Sequence, residues 1–169
     1  MNAHPARSVT TKPARELRLT PLMLSMICLG ATPTLAQTLP VPAATLQVDG
    51  TVAIQPGAPA GTMNIVQSSQ RAIAAWQSFS IGAGGTVNVA QPSRGVLLNR
   101  VIGNDLSTIA GTLNAPNGHV YLVNPNGVLF SAGSSVNVGG LVASTLDISN
   151  ANFMAGKQLV FERPDASTA

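Results

Sequence analysis

Residues 107–149 read STIAGTLNAPNGHVYLVNPNGVLFSAGSSVNVGGLVASTLDIS, a string of short apolar runs cut at close intervals by Gly and Asn. Leu113, Tyr121, Leu129 and Asn137 each lie at the centre of a run and recur every eight residues, with Asn117-Gly118, Asn126-Gly127 and Gly133 between them. Strands of three to five residues separated by such corners are too short for a stable sandwich sheet. They suit a solenoid, in which each short side pairs with the same side of the next coil and stacking buries one continuous core. Three sides of about eight residues make a coil of about 24. Gly-x-x-Val-Asn-Val at 84–89 and again at 133–138 supports a repeat. The competing reading is a β-sandwich that uses Val-Asn-Val as an ordinary strand fragment.

Working outward, the same economy extends over most of the chain. Short apolar runs at 63–66, 79–81, 87–90, 96–101 and 158–161 are bounded by Gly, Asn or Pro. The proline-rich stretch 37–60 reads as an extended lead-in, and TLQVDGTVAI within it suggests a hairpin about Asp49-Gly50. SSQRAIAAW, residues 68–76, is the one helix candidate, read as a turn or a single helical turn.

The first 36 residues differ in kind. Arg7, Lys12, Arg15 and Arg18 precede an apolar stretch, LTPLMLSMICL at 19–29, and Thr34-Leu35-Ala36 offers a small-x-small cleavage site. This is the pattern of a secretory signal, and eleven apolar residues are too few to span a bilayer. The single cysteine, Cys28, lies inside that stretch. Ile27 before it is too bulky for a lipoprotein acceptor, so the exported domain is expected to hold no thiol and no disulfide. The formal charge of +3 also belongs to the leader, because from Gln37 onward five bases balance five acids. The basic isoelectric point is therefore no nucleic-acid footprint.

Asn124-Pro125-Asn126-Gly127 meets the preferences of a type I turn: Asn first to accept from the backbone two residues on, Pro second with its φ preset, Gly fourth. Catalytic constellations are sparse. His119 is the single histidine after the leader, and Gly-x-Ser-x-Gly is absent. The Asp residues are too scattered for a calcium loop, and Gly82-Ala83-Gly84-Gly85 lacks the Lys-Ser/Thr of a phosphate loop. No catalysis, cofactor or metal is expected. The enzymatic alternative is a carbohydrate-active β-helix enzyme, a polysaccharide lyase or hydrolase, gathering Asp105, Asp147, Arg94 and Arg100 on one outer face.

WQSFSIG at 76–82, VNVAQP at 87–92, VLLNRVIG at 96–103 and the stretch 107–149 together resemble the filamentous-haemagglutinin-type two-partner-secretion (TPS) domain, closest to its high-molecular-weight adhesin branch. The resemblance implies a right-handed parallel β-helix, a three-sided solenoid with small extra-helical β elements. It divides the chain into a signal peptide at 1–36, a TPS haemagglutination-activity domain at 37–160, and a polar tail or truncation point at 161–169. It implies an N-terminal secretion domain of an exoprotein or adhesin from a Gram-negative cell, secreted or surface-exposed by way of the periplasm. The implied partner is an outer-membrane pore with periplasmic POTRA-type domains, with host-cell receptors as a further class. Asn124, Pro125, Asn126 and Gly127 match the family's NPNG turn and Asn99 its upstream strand, which assigns them to transporter recognition or to folding. The second tetrapeptide of many haemagglutinin members, Asn-Pro-Asn-Leu, is absent, and Gly95-Val96-Leu97-Leu98 runs straight into Asn99.

Overall fold

Thr62, Thr86, Thr112 and Ser135 lie side by side in parallel register, so the chain returns to the same place after 24, 26 and 23 residues. That return is the solenoid. The computed structural model describes residues 38–163, and the signal-peptide reading of 1–36 lies outside them. In chain order the elements are β1 (Val41–Asp49), β2 (Val52–Pro56), β3 (Thr62–Gln67), β4 (Arg71–Ser78), β5 (Thr86–Ala90), β6 (Gly95–Val101), β7 (Ser107–Ile109), β8 (Thr112–Val123), β9 (Val128–Phe130), β10 (Ser135–Ser144) and the helix α1 (Asn150–Ala155).

Three sides form. On the first, β3, β5 and the starts of β8 and β10 stack in parallel. On the second, β4, β6 and the ends of β8 and β10 do the same. β8 and β10 turn the corner without breaking, which joins these two sides into one eight-stranded sheet. The third side is the two-stranded sheet β7–β9, extended by a bridge from Ile81 to Ile109. The result is a right-handed parallel β-helix of about four turns.

Alternation builds the core. Met63, Val87, Leu113 and Val136 stand in one inward column, Ala72, Leu97, Val120 and Leu141 in another. Val87, Leu113, Ala72, Leu97 and Val120 are fully buried. At the last coil Val136 and Leu141 remain 36% and 38% exposed, because no described strand lies beneath them.

Two local expectations are corrected. Residues 71–78 form β4, a strand in mid-sheet, and not a helical turn. Both faces of β4 are buried, Ala72, Ala74 and Trp76 against the solenoid core and Ile73 against a second cluster with Leu98, Val123, Ile148 and Phe153. Burial on both sides erases the period-two alternation that marks a strand. Asp49-Gly50 is not a hairpin either. β1 pairs antiparallel with β4 and β2 with β3, so Gly50 (φ +67°) only turns the chain from one side to the next. The reversal falls at 57–61, closed by Gly57 N donating to Thr62 O and Thr62 N to Pro59 O. β1 and β2 thereby cover the first coil's edge, which would otherwise offer unpaired backbone groups.

A strap at the C-terminal end covers the second side from outside. Ser149 caps α1 by accepting from Asn152 N, and Gly156 ends it in the left-handed conformation. Phe153 of α1 and Ile148 bury the outward residues Ile73, Leu98 and Val123, with Tyr121 set edge-on to Phe153 and stacked on Phe161. Two arginines tie it down. Arg71 donates to Phe153 O and lies over the Phe153 ring, and Arg100 donates to Asp147, Asn150 and the Ile148 carbonyl.

Candidate functional site

The NPNG tetrapeptide forms the corner between the second and third sides of coil three, where β8 ends and β9 begins. Gly127 N donates to Asn124 O at 2.9 Å, which closes the turn, and Asn124 Oδ1 accepts from Asn126 N at 2.9 Å, as an Asx turn requires. Among the described residues Arg94 is the one non-glycine with positive φ, so Asn126 is not left-handed and the turn is not type II.

Asn124 is fully buried, and its amide faces the coil before it. Nδ2 donates to Asp105 O and to Ser107 Oγ, both at 2.9 Å. Asn126 Nδ2 donates to Gly103 O at 2.9 Å. In coil two the equivalent corner is the loop 102–106, which lacks a turn motif of its own and is held in place by these amides. Asn124 N in turn donates to Ser144 O of coil four at 3.0 Å, and Ser107 N donates to Gly127 O at 3.1 Å. The tetrapeptide thus joins three successive coils. Gly127 sits at φ +107°, and a Cβ there would come within 2.9 Å of Leu106 Cδ1. Pro125 and Asn126 are the exposed members of the four.

Asn99 lies elsewhere, inside the solenoid. It takes the inward position between Ala74 and Leu122 and is fully buried. Its Oδ1 accepts from Trp76 Nε1 at 3.0 Å and its Nδ2 donates to Tyr121 O at 3.3 Å. The pairing answers the needs of both residues, since a buried indole N–H and a buried amide must each find a partner. Trp76 itself packs edge-on to Phe79 at 5.1 Å.

The acidic and basic residues of the enzymatic alternative do not assemble. Arg100 and Asp147 meet at 2.9 Å, but as the ion pair that fastens the strap. Asp105 is on the loop beside the NPNG corner, and Arg94 is at the corner before β6, where its N–H donates to Asn117 O. A hollow of about 360 Å³ beside Pro125 and Asn126 is lined by Arg100, Ile102, Asn104 and Asp147, whose two charges neutralise each other. No group of three or more His, Cys, Asp or Glu residues gathers among the described residues, and none of the helices there is long and apolar enough to cross a membrane.

One feature is only half visible in the sequence. The Val-Asn-Val pair marks two rungs of a four-rung column, Asn64, Asn88, Asn114 and Asn137, which the register sets one above another. The other two rungs carry Met-Asn-Ile and Leu-Asn-Ala, so a search for Thr/Ser-x-Asn would have found all four.

The geometry defines a class first: a short, capped β-helix whose distinctive residues are turn and core amides. The family model of the TPS secretion domain matches residues 40–168, and the chain belongs to that family. It is 42% identical over 134 residues to a heme/hemopexin-binding protein of Haemophilus influenzae, and 45% identical over 87 residues to a protein of the same name from the Rd strain. These matches cover 79% and 51% of this chain but 14% and 10% of those proteins, so it spans about a seventh of the first relative's length. The crystal structure of the HMW1 secretion domain from Haemophilus influenzae superposes with a TM-score of 0.63 at 34% identity, over 73% of this chain and 32% of that one. Family and fold are those of a secretion domain of a two-partner-secretion exoprotein.

Proposed function

We propose that this domain is read, unfolded, by the periplasmic POTRA-type domains of a dedicated outer-membrane pore, and that it then folds outside the cell to start the β-helix of a longer adhesin. Residues 1–36 act as the export signal, 37–160 as the secretion domain and 161–169 as a polar tail or truncation point. The final location is the cell surface or the medium, reached through the periplasm. A chain with balanced charges and no thiol after its leader is suited to passage through a narrow pore. Capture by strand addition uses main-chain hydrogen bonds and needs an apolar alternating segment. Leu46–Ile54 alternates and is one candidate; Met63–Trp76 is the other, apolar without alternation from Ala72 to Trp76. β3 and β4 lie in mid-sheet once folded, so the second segment is available to the pore only beforehand.

The observation that carries this reading is the span of the NPNG corner over three coils. Asn124, Pro125, Asn126 and Gly127 lock onto each neighbouring coil as it joins them outside the pore, and Asn99 fixes Trp76 in the first layers. Each coil contacts only its neighbours, so a locked start templates the rest. Adhesion to host-cell receptors belongs to the longer protein. Heme and hemopexin binding are in the names of two relatives of which this chain matches 14% and 10%.

The test is release into the medium from a Gram-negative host carrying the partner pore. Asn124→Ala and Gly127→Val are expected to abolish release while the denatured variants still bind the pore's isolated periplasmic domains. Normal release of both variants would refute the proposal.

A further inference from the structure

The coils do not repeat at constant length, yet four strands begin alike: Thr62-Met63-Asn64, Thr86-Val87-Asn88, Thr112-Leu113-Asn114 and Ser135-Val136-Asn137. The register stacks hydroxyl on hydroxyl and amide on amide. Asn88 Nδ2 donates to Asn64 Oδ1 at 3.1 Å, Asn114 Nδ2 to Asn88 Oδ1 at 3.3 Å, and Asn137 Nδ2 to Asn114 Oδ1 at 2.8 Å. Each of these three amides donates toward the preceding coil.

The apolar pattern alone cannot place these strands. A slip of one residue turns the apolar face outward and is strongly disfavoured, but a slip of two keeps it inward. The inward residues are the same in two of these strands, Val87 with Val89 and Val136 with Val138, and only β8 differs in size, Leu113 against Ala115. Counting from the previous coil does not help, because the offsets are 24, 26 and 23. The outward amide does distinguish the registers. In a two-residue slip Asn88 would face Thr112 or Pro116 in place of Asn114, and the ladder would be lost.

We propose that the Thr/Ser-x-Asn triplet is the phasing element of this solenoid: the asparagine ladder selects the native register of each coil against two-residue slips. The corners are then free to vary in length, and a chain that folds vectorially carries its own alignment mark. The proposal rests on the fold and stands whether or not the domain is read by a pore.

The test uses the full chain with Cys28→Ser, refolded from denaturant, and reads register by cross-linking. Thr112→Cys with Ser135→Cys can join only in the native register, whereas Thr112→Cys with Asn137→Cys can join only after a two-residue slip, since directly opposed positions alone come within disulfide reach. In an Asn114→Val background, which has already lost both adjoining rungs, native-pair cross-linking is expected to fall severalfold and the slipped pair to appear. Asn114→Asp keeps the side chain's size and still accepts from Asn137, but a carboxylate cannot donate to Asn88 Oδ1. Its folding equilibrium constant relative to the parent is expected to be about tenfold lower at neutral pH. It should recover as pH falls through its folded pKa, which donation by the protonated carboxyl alone raises above the unfolded value, and the recovery should be complete by about pH 4. Native-pair cross-linking at the parental level with no slipped product in Asn114→Val would overturn the proposal. So would the absence of acid recovery in Asn114→Asp, a readout that survives even if the valine variant does not fold.

Discussion

Replacing Asn124 by Ala removes a side chain that no solvent reaches and that makes four hydrogen bonds, two given to Asp105 O and Ser107 Oγ and two received from Asn126. A buried hydrogen bond contributes about 1 kcal/mol net, and each buried partner left without one costs about 1–3 kcal/mol. The Asp105 carbonyl lies on an exposed loop and regains water, while Ser107 is buried and does not. Loss of the Asx contact and of the Ser107 contact, with a small void in place of the amide, sums to roughly 3 kcal/mol. For a domain of this size that is a fall in Tm of roughly 10 °C. Asn126→Ala, which loses chiefly the bond to the O of the buried Gly103, should cost about 1–3 kcal/mol. The two share the Asn124 Oδ1 contacts, so the double variant should cost less than the sum. Urea and thermal unfolding of purified protein, followed by circular dichroism, gives all three values. An Asn124→Ala variant within about 1 kcal/mol of the parent would refute the claim that this corner holds neighbouring coils together.

Gly127→Val places a β-branched residue at φ +107° against Leu106 and is expected to destabilise more than Gly127→Ala, with both measurably below the parent in urea unfolding. Asn99→Ala strands the Trp76 N–H in the core and should cost about 1–3 kcal/mol; adding Trp76→Phe removes the orphan donor, so the double variant should lose less than the two single losses predict. Arg100→Ala frees Asp147, Asn150 and the Ile148 carbonyl at one end of the strap, and limited proteolysis should then cut within 147–162 while the coils before it stay intact. Equal cleavage rates in variant and parent would contradict the fastening role given to Arg100.

How much could be read from the sequence depends on how local each cause is. The corners at Gly127 and Gly133 are legible because positive φ there is a local demand, whereas Asn117-Gly118 lies within β8 and its glycine answers the close approach of Gln91 and Gly95 in the preceding coil. The eight-residue beat from Leu113 to Asn137 holds for the sides but not for the facing: Leu113 is buried, Leu129 is exposed, and Asn137 pairs with Asn114 and not with Leu113. β4 is illegible because the strap lies about 80 residues away and covers its outer face, leaving RAIAAW apolar throughout. α1 carries its own cap signals, Ser149 and Gly156, yet six residues are too few to show a helical period. The inward placement of Asn99 is hidden in VLLNRV, where nothing local says which face the amide takes. Its partner, Trp76, comes from the preceding coil.

The most direct test of the central claim is the appearance of the folded domain outside a Gram-negative cell expressing the full chain with and without the partner outer-membrane pore. Protease-resistant, correctly cleaved protein in the medium or on the surface only when the pore is present is the predicted result. Equal export in both strains would contradict it, as would retention in the periplasm in both.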